Sequence, residues 1–282
     1  MPMHLPTHMA EVLDMLAARP DARIMAGGTD LLVRLRASGQ MPETLVCLER
    51  VAELRRIEAL ETVSGPAVRI GAATTITDLL RSDTVRARLP LLHRATTLFA
   101  SPLVRNSATL GGNLCTASPA ADTLPALYVL NASVELRSPR GTRILPIPHF
   151  IAGPGRTALE PGELLTGVIV PISRSFNVQH FEKVGQRQAL AIAVVSLAAL
   201  VALENGIVKE ARFAWGSVGP TIVRSPEAEA VLRGKRLTLT GLRAAAQAAR
   251  QAVSPISDLR ASADYRREVA GNLLLRLATL SG

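Results

Sequence analysis

Aromatic side chains make up only 3% of this chain, too few stacking platforms to hold the bases of a nucleic acid. Lysine is scarce as well: Lys183, Lys209 and Lys235 are the only ones among 32 basic residues, and the arginines are scattered rather than run together. The net charge of +9 therefore reads as a compositional bias and not as a nucleic-acid footprint, with a docking face for an acidic partner subunit as the open alternative. The two cysteines, Cys47 and Cys115, have no metal-ligand spacing and cannot supply the four usual ligands of an iron–sulfur cluster. No metal site is expected on the chain, and Cys115 is expected to be a small buried filler. No basic stretch followed by an apolar segment opens the sequence. The longest apolar run, Ala189 to Leu203, is broken by Ser196 and is shorter than the roughly 18 residues of a spanning helix. These absences predict a cytoplasmic protein with no membrane span and no nucleic-acid partner.

Signatures of hydrolytic and metal chemistry are missing too. There is no HExxH, GxSxG or Walker loop, and His4, His8, His93, His149 and His180 lie far apart. No side chain is assigned a catalytic role. GPGRTA, Gly153 to Ala158, matches GxGxxA in form, but Pro154 removes an N–H, and Pro161 forbids the helix that would receive a phosphate. It reads as a surface turn.

What remains is 282 residues, 48% of them hydrophobic, enough for two or three compact units. Helical spacing over His8 to Arg19, a strand at Arg23 to Ala26, a helix capped by Thr29 or Asp30 and stopped at Gly39, and a strand at Thr44 to Leu48 predict a βαβ-like unit within residues 1–55. A second unit, residues 56–172, has a strand in VRIGAAT, a helix capped by Thr77 and helical spacing over Leu89 to Phe99. An irregular stretch follows at SPLVRNSATLGGN, then a short helix at Leu124 to Leu130, a hairpin turning at Pro139–Gly141, and a strand at Leu165 to Pro171. Residues 173–282 change character: a hairpin turns at Asn205–Gly206, and the helical segments Ser225 to Leu232, Leu242 to Ala252 and Tyr265 to Leu280 follow. The fold class is α+β.

Two stretches carry the functional signal, AGGTDLL at Ala26 to Leu32 and TLGGNLCTASPAAD at Thr109 to Asp122. Each pairs Gly-Gly with small polar residues, the composition that brings bare backbone N–H groups close to a diphosphate. Their surroundings are not those of a Rossmann unit.

These two, with GELLTGVIVP, FEKVGQRQALAIAVVSLAA and SDLRASADYRREVAGNLL, stand in the order found in the FAD-binding medium subunits of the molybdenum hydroxylases, the family of xanthine dehydrogenase, aldehyde oxidase and carbon monoxide dehydrogenase flavoproteins. The chain resembles that family over nearly its whole length. The resemblance implies a two-subdomain FAD-binding fold of the vanillyl-alcohol-oxidase type followed by a C-terminal α+β domain. It implies that Ile24, Met25, Ala26, Gly27, Gly28, Thr29, Asp30 and Leu31 wrap the pyrophosphate, and that Thr109, Leu110, Gly111, Gly112 and Asn113 bind it from the second subdomain, as backbone donors first. Asp122 would accept a hydrogen bond from a ribose or adenine group; capping the following helix is its alternative. Phe99 and Leu165 would lie against the cofactor, or serve as core. Lys183 would reach the flavin, where a cation favours the reduced ring, or sit on the surface.

The implied complex holds molybdopterin on a large partner and [2Fe–2S] clusters on a small one, with electrons passing to FAD here and on to NAD or another acceptor. Relatives often place acidic residues where Leu190 and Ala191 stand, which leaves the acceptor open, and the cysteine-bearing insertion of the benzoyl-CoA reductase branch is absent. A free-standing FAD oxidoreductase of the vanillyl-alcohol-oxidase type is the alternative enzyme, although no acid, base or anion anchor for it can be named. A paralogue serving only as an assembly module is the third reading, against which the intact glycine loops speak.

Overall fold

Met9, Val12 and Leu16, three and four residues apart, fall on one face of the helix Met9–Ala18 and are its buried side chains. That face closes a small core with Val46, Leu48, Val51 and Leu54. Beside it lie three short parallel strands, β1 (Met3–His4), β2 (Arg23–Met25) and β3 (Leu45–Cys47), in the order β1-β3-β2. The helix Leu31–Ser38 connects β2 to β3, as the βαβ pattern predicts, and ends at Gly39 with φ +67°. The computed structural model describes residues 2–173, 175–187 and 190–280.

A second sheet follows, built from β4 (Ile57–Thr62), β5 (Gly65–Gly71), β6 (Ser133–Ser138) and β7 (Gly141–Pro146). After the small ladder of β8 (Ile151–Gly153) and β9 (Arg156–Thr157), the chain returns through β10 (Leu164–Pro171) to its centre, giving the antiparallel order β4-β5-β10-β6-β7. Its middle is cross-linked by charge: Arg69 of β5 donates to Glu135 of β6 at 2.7 Å, and Thr166 of β10 donates to the same carboxylate at 2.6 Å. Although burial favours the neutral acid, those donors win and hold Glu135 below the usual carboxylate range.

In β12 (Val195–Glu204) and β13 (Ile207–Gly216), preceded by β11 (Val178–Val184) and followed by β14 (Val223–Arg224), the sheet is antiparallel in sequence order. Asn205 and Gly206, at φ +53° and +76°, make the turn the Asn-Gly pair predicts. Phe213 and Trp215 bury completely beneath the helices Pro226–Leu232, Leu239–Ala252 and Ala263–Leu275, and the Trp215 indole donates to the Ala270 carbonyl at 3.0 Å.

The folded chain divides into two compact units. One comprises the chain to Arg88 with Ser101–Ala117 and Asn131–Ile172; the other comprises Leu89–Ala100, Ser118–Leu130 and the chain from Ser173 onward. The second unit therefore contains two helices that precede its sheet in sequence, Pro90–Thr97 and Thr123–Val129, and the latter packs on β12 and β13.

Two expectations change, and one strand goes unread. The helix assigned to a Thr77 cap begins two residues earlier, because Thr75 and Asp78 form a reciprocal capping box. The stretch read as irregular holds two short helices, Pro102–Arg105 and Leu110–Thr116, capped by Ser101 and Thr109. The strand β11 escapes the pattern because VQHFEKV mixes charged and apolar residues.

The C-terminal unit also contains a buried cation that the sequence does not announce. Arg266, only 4% exposed, donates to the carbonyls of Val194 at 2.7 Å and Ser217 at 3.0 Å and to Asp258 at 2.7 Å. Asp258 is held down at about 2, first by the Arg260 amide and then, with burial opposing, by Arg266. Replacing Arg266 by methionine strands these acceptors, and an unfolding titration should show a loss of about 2–3 kcal/mol. An unchanged midpoint would show that the clamp contributes nothing.

Candidate functional site

At the end of β2 the chain leaves its ladder: the Leu48 N–H still donates to the Met25 carbonyl at 2.8 Å. Beyond it, none of the backbone N–H groups from Ala26 to Leu31 donates to an acceptor among the described residues. Gly28, at φ +70°, turns the chain through the left-handed region. Asp30 occupies the N-cap of the next helix without capping it. Its carboxylate instead pairs with Arg34 at 2.9 Å and accepts from the Thr116 hydroxyl at 3.1 Å. The loop is half-buried, apart from the exposed Thr29. A run of open amides cannot be stable in a dry interior, but it can receive a multiply charged oxyanion.

The second glycine stretch is different in kind. Leu110 N–H donates to the Thr74 carbonyl at 3.0 Å and Gly111 N–H to the Ala72 carbonyl at 2.8 Å. Gly112 N–H donates to the Thr109 hydroxyl at 3.0 Å and Asn113 N–H to the Thr109 carbonyl at 3.0 Å. All four amides of this first helical turn are engaged within their own unit. The expectation that residues 110–113 act first as open main-chain donors is therefore revised: their four amides are taken within the unit, and of this stretch only the Thr109 N–H has no acceptor among the described residues.

The first glycine stretch and residues 109–117 of the second belong to the same unit and meet where the Thr116 hydroxyl donates to Asp30. A Cβ on Gly27 would overlap the Ser107 carbonyl oxygen, and one on Gly111 would stand 2.7 Å from the Ala72 carbonyl oxygen. These two glycines are needed so that backbone can lie against backbone. Sequence reasoning assigned them to close approach by a ligand and missed Ser107 and Ala72 as their partners; the local signal was the small-residue run SATLGG, which says that something approaches but not what.

Of the remaining candidates, Leu165 lies in the first unit, buried in β10 opposite Leu136 beside a bulge. Phe99, Asp122 and Lys183 lie in the second. Phe99 is buried. Asp122 and Lys183 pair with each other: Nζ is 2.7 Å from Oδ2, with side chains 7% (Lys183) and 10% (Asp122) exposed, and Nζ also donates to the Leu98 carbonyl at 2.9 Å. The surface reading of Lys183 fails. Capping fails for Asp122, whose side chain makes no cap bond. Burial pushes the Asp122 carboxyl up to about 6 against the pull of Lys183, and its Oδ1 is buried with no partner. A buried carboxylate oxygen left open is an acceptor awaiting a donor.

Cys115 is exposed by accessible surface, yet protein crowds its thiol closely enough that desolvation pushes it up to about 12. The GPGRTA segment forms the β8–β9 turn, with Gly155 N–H donating to the Ala117 carbonyl at 3.1 Å. Gln188 and Ala189 of the fourth block lie outside the described residues. Among the described residues no cluster of three or more His, Cys, Asp or Glu could hold a metal, and no helix is long and apolar enough to cross a membrane.

Residues 1–173 match the family described as the FAD binding domain in molybdopterin dehydrogenase, and residues 180–280 match the CO dehydrogenase flavoprotein C-terminal domain. The chain is 36% identical over 265 residues to the xanthine dehydrogenase FAD-binding subunit of Escherichia coli O157:H7, covering 93% of this chain and 89% of that one. It is 34% identical over 275 residues to the carbon monoxide dehydrogenase medium chain of Hydrogenophaga pseudoflava, covering 97% and 94%. A solved structure of quinoline 2-oxidoreductase from Pseudomonas putida 86 superposes with a TM-score of 0.92 at 30% identity, covering 99% of this chain and 95% of that one.

Proposed function

This chain belongs to the FAD-binding subunits of the molybdenum hydroxylase family, and from that premise we propose that it accepts electrons from [2Fe–2S] clusters on a partner chain and passes them to NAD or another acceptor. The observation that carries the reading is the run of open amides from Ala26 to Leu31. Six donors in one half-buried loop match the oxygens of a diphosphate, and hydrogen bonds to an anion are about twice as strong as neutral ones.

Ile24 and Met25 set the loop by anchoring it in the β2 ladder, while Ser107 backs it at Gly27 and Thr116 holds it at Asp30. Thr109 and Asn113 add side-chain contacts to the same ligand. Asp122 offers its unpaired Oδ1 to a hydroxyl or amine of the cofactor. Lys183 supplies a fixed positive charge, stationed by Asp122 and the Leu98 carbonyl, and Phe99 and Leu165 give apolar contact. The bound FAD supplies the two-electron chemistry, and no side chain of this protein has to act as a general acid or base. Molybdopterin chemistry and the clusters belong to a large and a small partner chain.

Retention of flavin by the isolated chain tests this directly. Purified protein mixed with FAD and desalted should keep flavin absorbance at about one equivalent, and riboflavin, which lacks the diphosphate, should be lost at the same step. Equal retention of riboflavin, or loss of both, would contradict the reading. Reduction of the bound flavin by a substrate added to the isolated chain, without partner proteins, would contradict the proposed electron route.

A further inference from the structure

Lys183 does not present a free charge. Its ammonium lies 2.7 Å from Asp122 Oδ2, and with both groups ionised the pair is neutral, so the cation assigned to the ring is cancelled by its own anchor. The pair is nevertheless built to take one more proton. Oδ2 accepts from Lys183, while Oδ1 is buried and has no partner among the described residues. A proton placed on Oδ1 therefore breaks no hydrogen bond of the pair, and it restores one full positive charge. The second lone pair of Oδ1 remains for a donor of the cofactor. Across the ladder from Lys183, Ser196 is 1% exposed and its hydroxyl also lacks a partner among the described residues, a second open oxygen on the face that Lys183 occupies.

Asp122, Lys183 and Ser196 lie in one unit, with the helices Pro90–Thr97 and Thr123–Val129 packed on its sheet. Those helices carry His93, Arg94 and Tyr128 as their other ionisable groups. On β12 and β13, Glu204 pairs with Lys209 and Glu210 with Arg212, and on β11 His180 pairs with Glu182 at 3.0 Å, on the opposite face from Lys183 by strand alternation. Among the described residues, Lys183 is the one charge that moves the Asp122 carboxyl. We propose that Asp122 takes up a proton when the cofactor beside Lys183 is reduced, so that the pair passes from neutral to singly positive as negative charge arrives. The inference rests on the proposed placing of Lys183 beside the ring. Two electrons from the [2Fe–2S] clusters of a partner chain and one proton from water go to the ring, leaving it anionic, and a second proton from water goes to Asp122 Oδ1. Negative charge nearby favours the neutral acid, and burial has already carried this carboxyl up to about 6.

The full chain loaded with FAD provides the test, through its midpoint potential followed by absorbance during titration with a chemical reductant. Each proton taken up per pair of electrons contributes about 30 mV per pH unit. From about pH 7 to about pH 8, where Asp122 is ionised before reduction, the wild-type potential should fall by about 60 mV and that of Asp122→Asn by about 30 mV. A second measurement needs no variant: the infrared difference spectrum of the wild type, reduced minus oxidised, should gain a protonated-carboxyl band over the same pH range. A one-proton slope in the wild type would overturn the proposal while leaving flavin binding intact. So would an equal slope in Asp122→Asn, or a spectrum without the carboxyl band. A chain that holds no flavin would instead sink the cofactor reading, and this inference with it.

Discussion

Gly27→Val is expected to cost more than about 4 kcal/mol and to abolish flavin retention, because the new side chain has no room against the Ser107 carbonyl. Relief would require the two glycine loops to part, and with them the anchor of the Ala26–Leu31 amides. The obstacle is backbone on both sides, so no rotamer change can absorb it. Gly39→Ala is the matched control: its Cβ would meet nothing within 4 Å, and only the left-handed φ of +67° opposes it, a penalty of about 1–2 kcal/mol. Urea unfolding of the two variants with a flavin assay on each separates the cases. A Gly27→Val protein with wild-type midpoint and bound flavin would refute the packing described above.

Lys183→Met ranks second. It removes the only cation on Asp122 among the described residues while leaving the carboxyl nine-tenths buried. Breaking one side of a buried pair typically costs about 3–5 kcal/mol, unless the survivor neutralises. Asp122 is already raised to about 6 by burial, so losing Lys183 pushes it higher. The sign follows from linkage: a carboxyl whose folded pKa lies above its unfolded 3.8 stabilises the fold most at low pH, and that contribution is lost as pH rises through the folded value. In the wild type the loss falls between pH 3.8 and about 6 and amounts to about 3 kcal/mol. In Lys183→Met it should extend above pH 6, making the variant much weaker at pH 8 than at pH 5. Asp122→Asn removes this pH dependence and leaves the ammonium buried without a counter-charge. Unfolding midpoints for the three proteins from pH 4 to 8 measure it, and parallel curves for wild type and Lys183→Met would exclude the coupling.

The sequence made some of this legible and hid the rest for identifiable reasons. Elements fixed by local chemistry were readable: the Asn205–Gly206 turn, the Gly39 stop and the face of the first helix. Residues 110–113 are read from the sequence as main-chain donors, whereas their amides go to the Thr74 and Ala72 carbonyls and to the hydroxyl and carbonyl of Thr109, because Gly-Gly composition signals close approach without saying whether ligand or protein approaches. The pairing of Asp122 with Lys183 spans 61 positions, and the pattern of one sequence carries no information about which distant charges meet. Arg266 sits in a helix rich in charged residues, and nothing in SADYRREVAG distinguishes it from Arg267, which pairs with Asp264 in solvent at 2.7 Å. Open amides, likewise, depend on where every neighbouring acceptor ends up, which is a property of the folded chain and not of any local stretch.

Amide hydrogen exchange across the two glycine loops, with and without FAD, tests the central claim most directly. Without cofactor, residues 26–31 should exchange fast and residues 110–113 slowly, since only the latter have internal acceptors; FAD should slow the first set sharply and change the second little. Slow exchange at residues 26–31 before any flavin is added, or no response there when it is, would contradict the account.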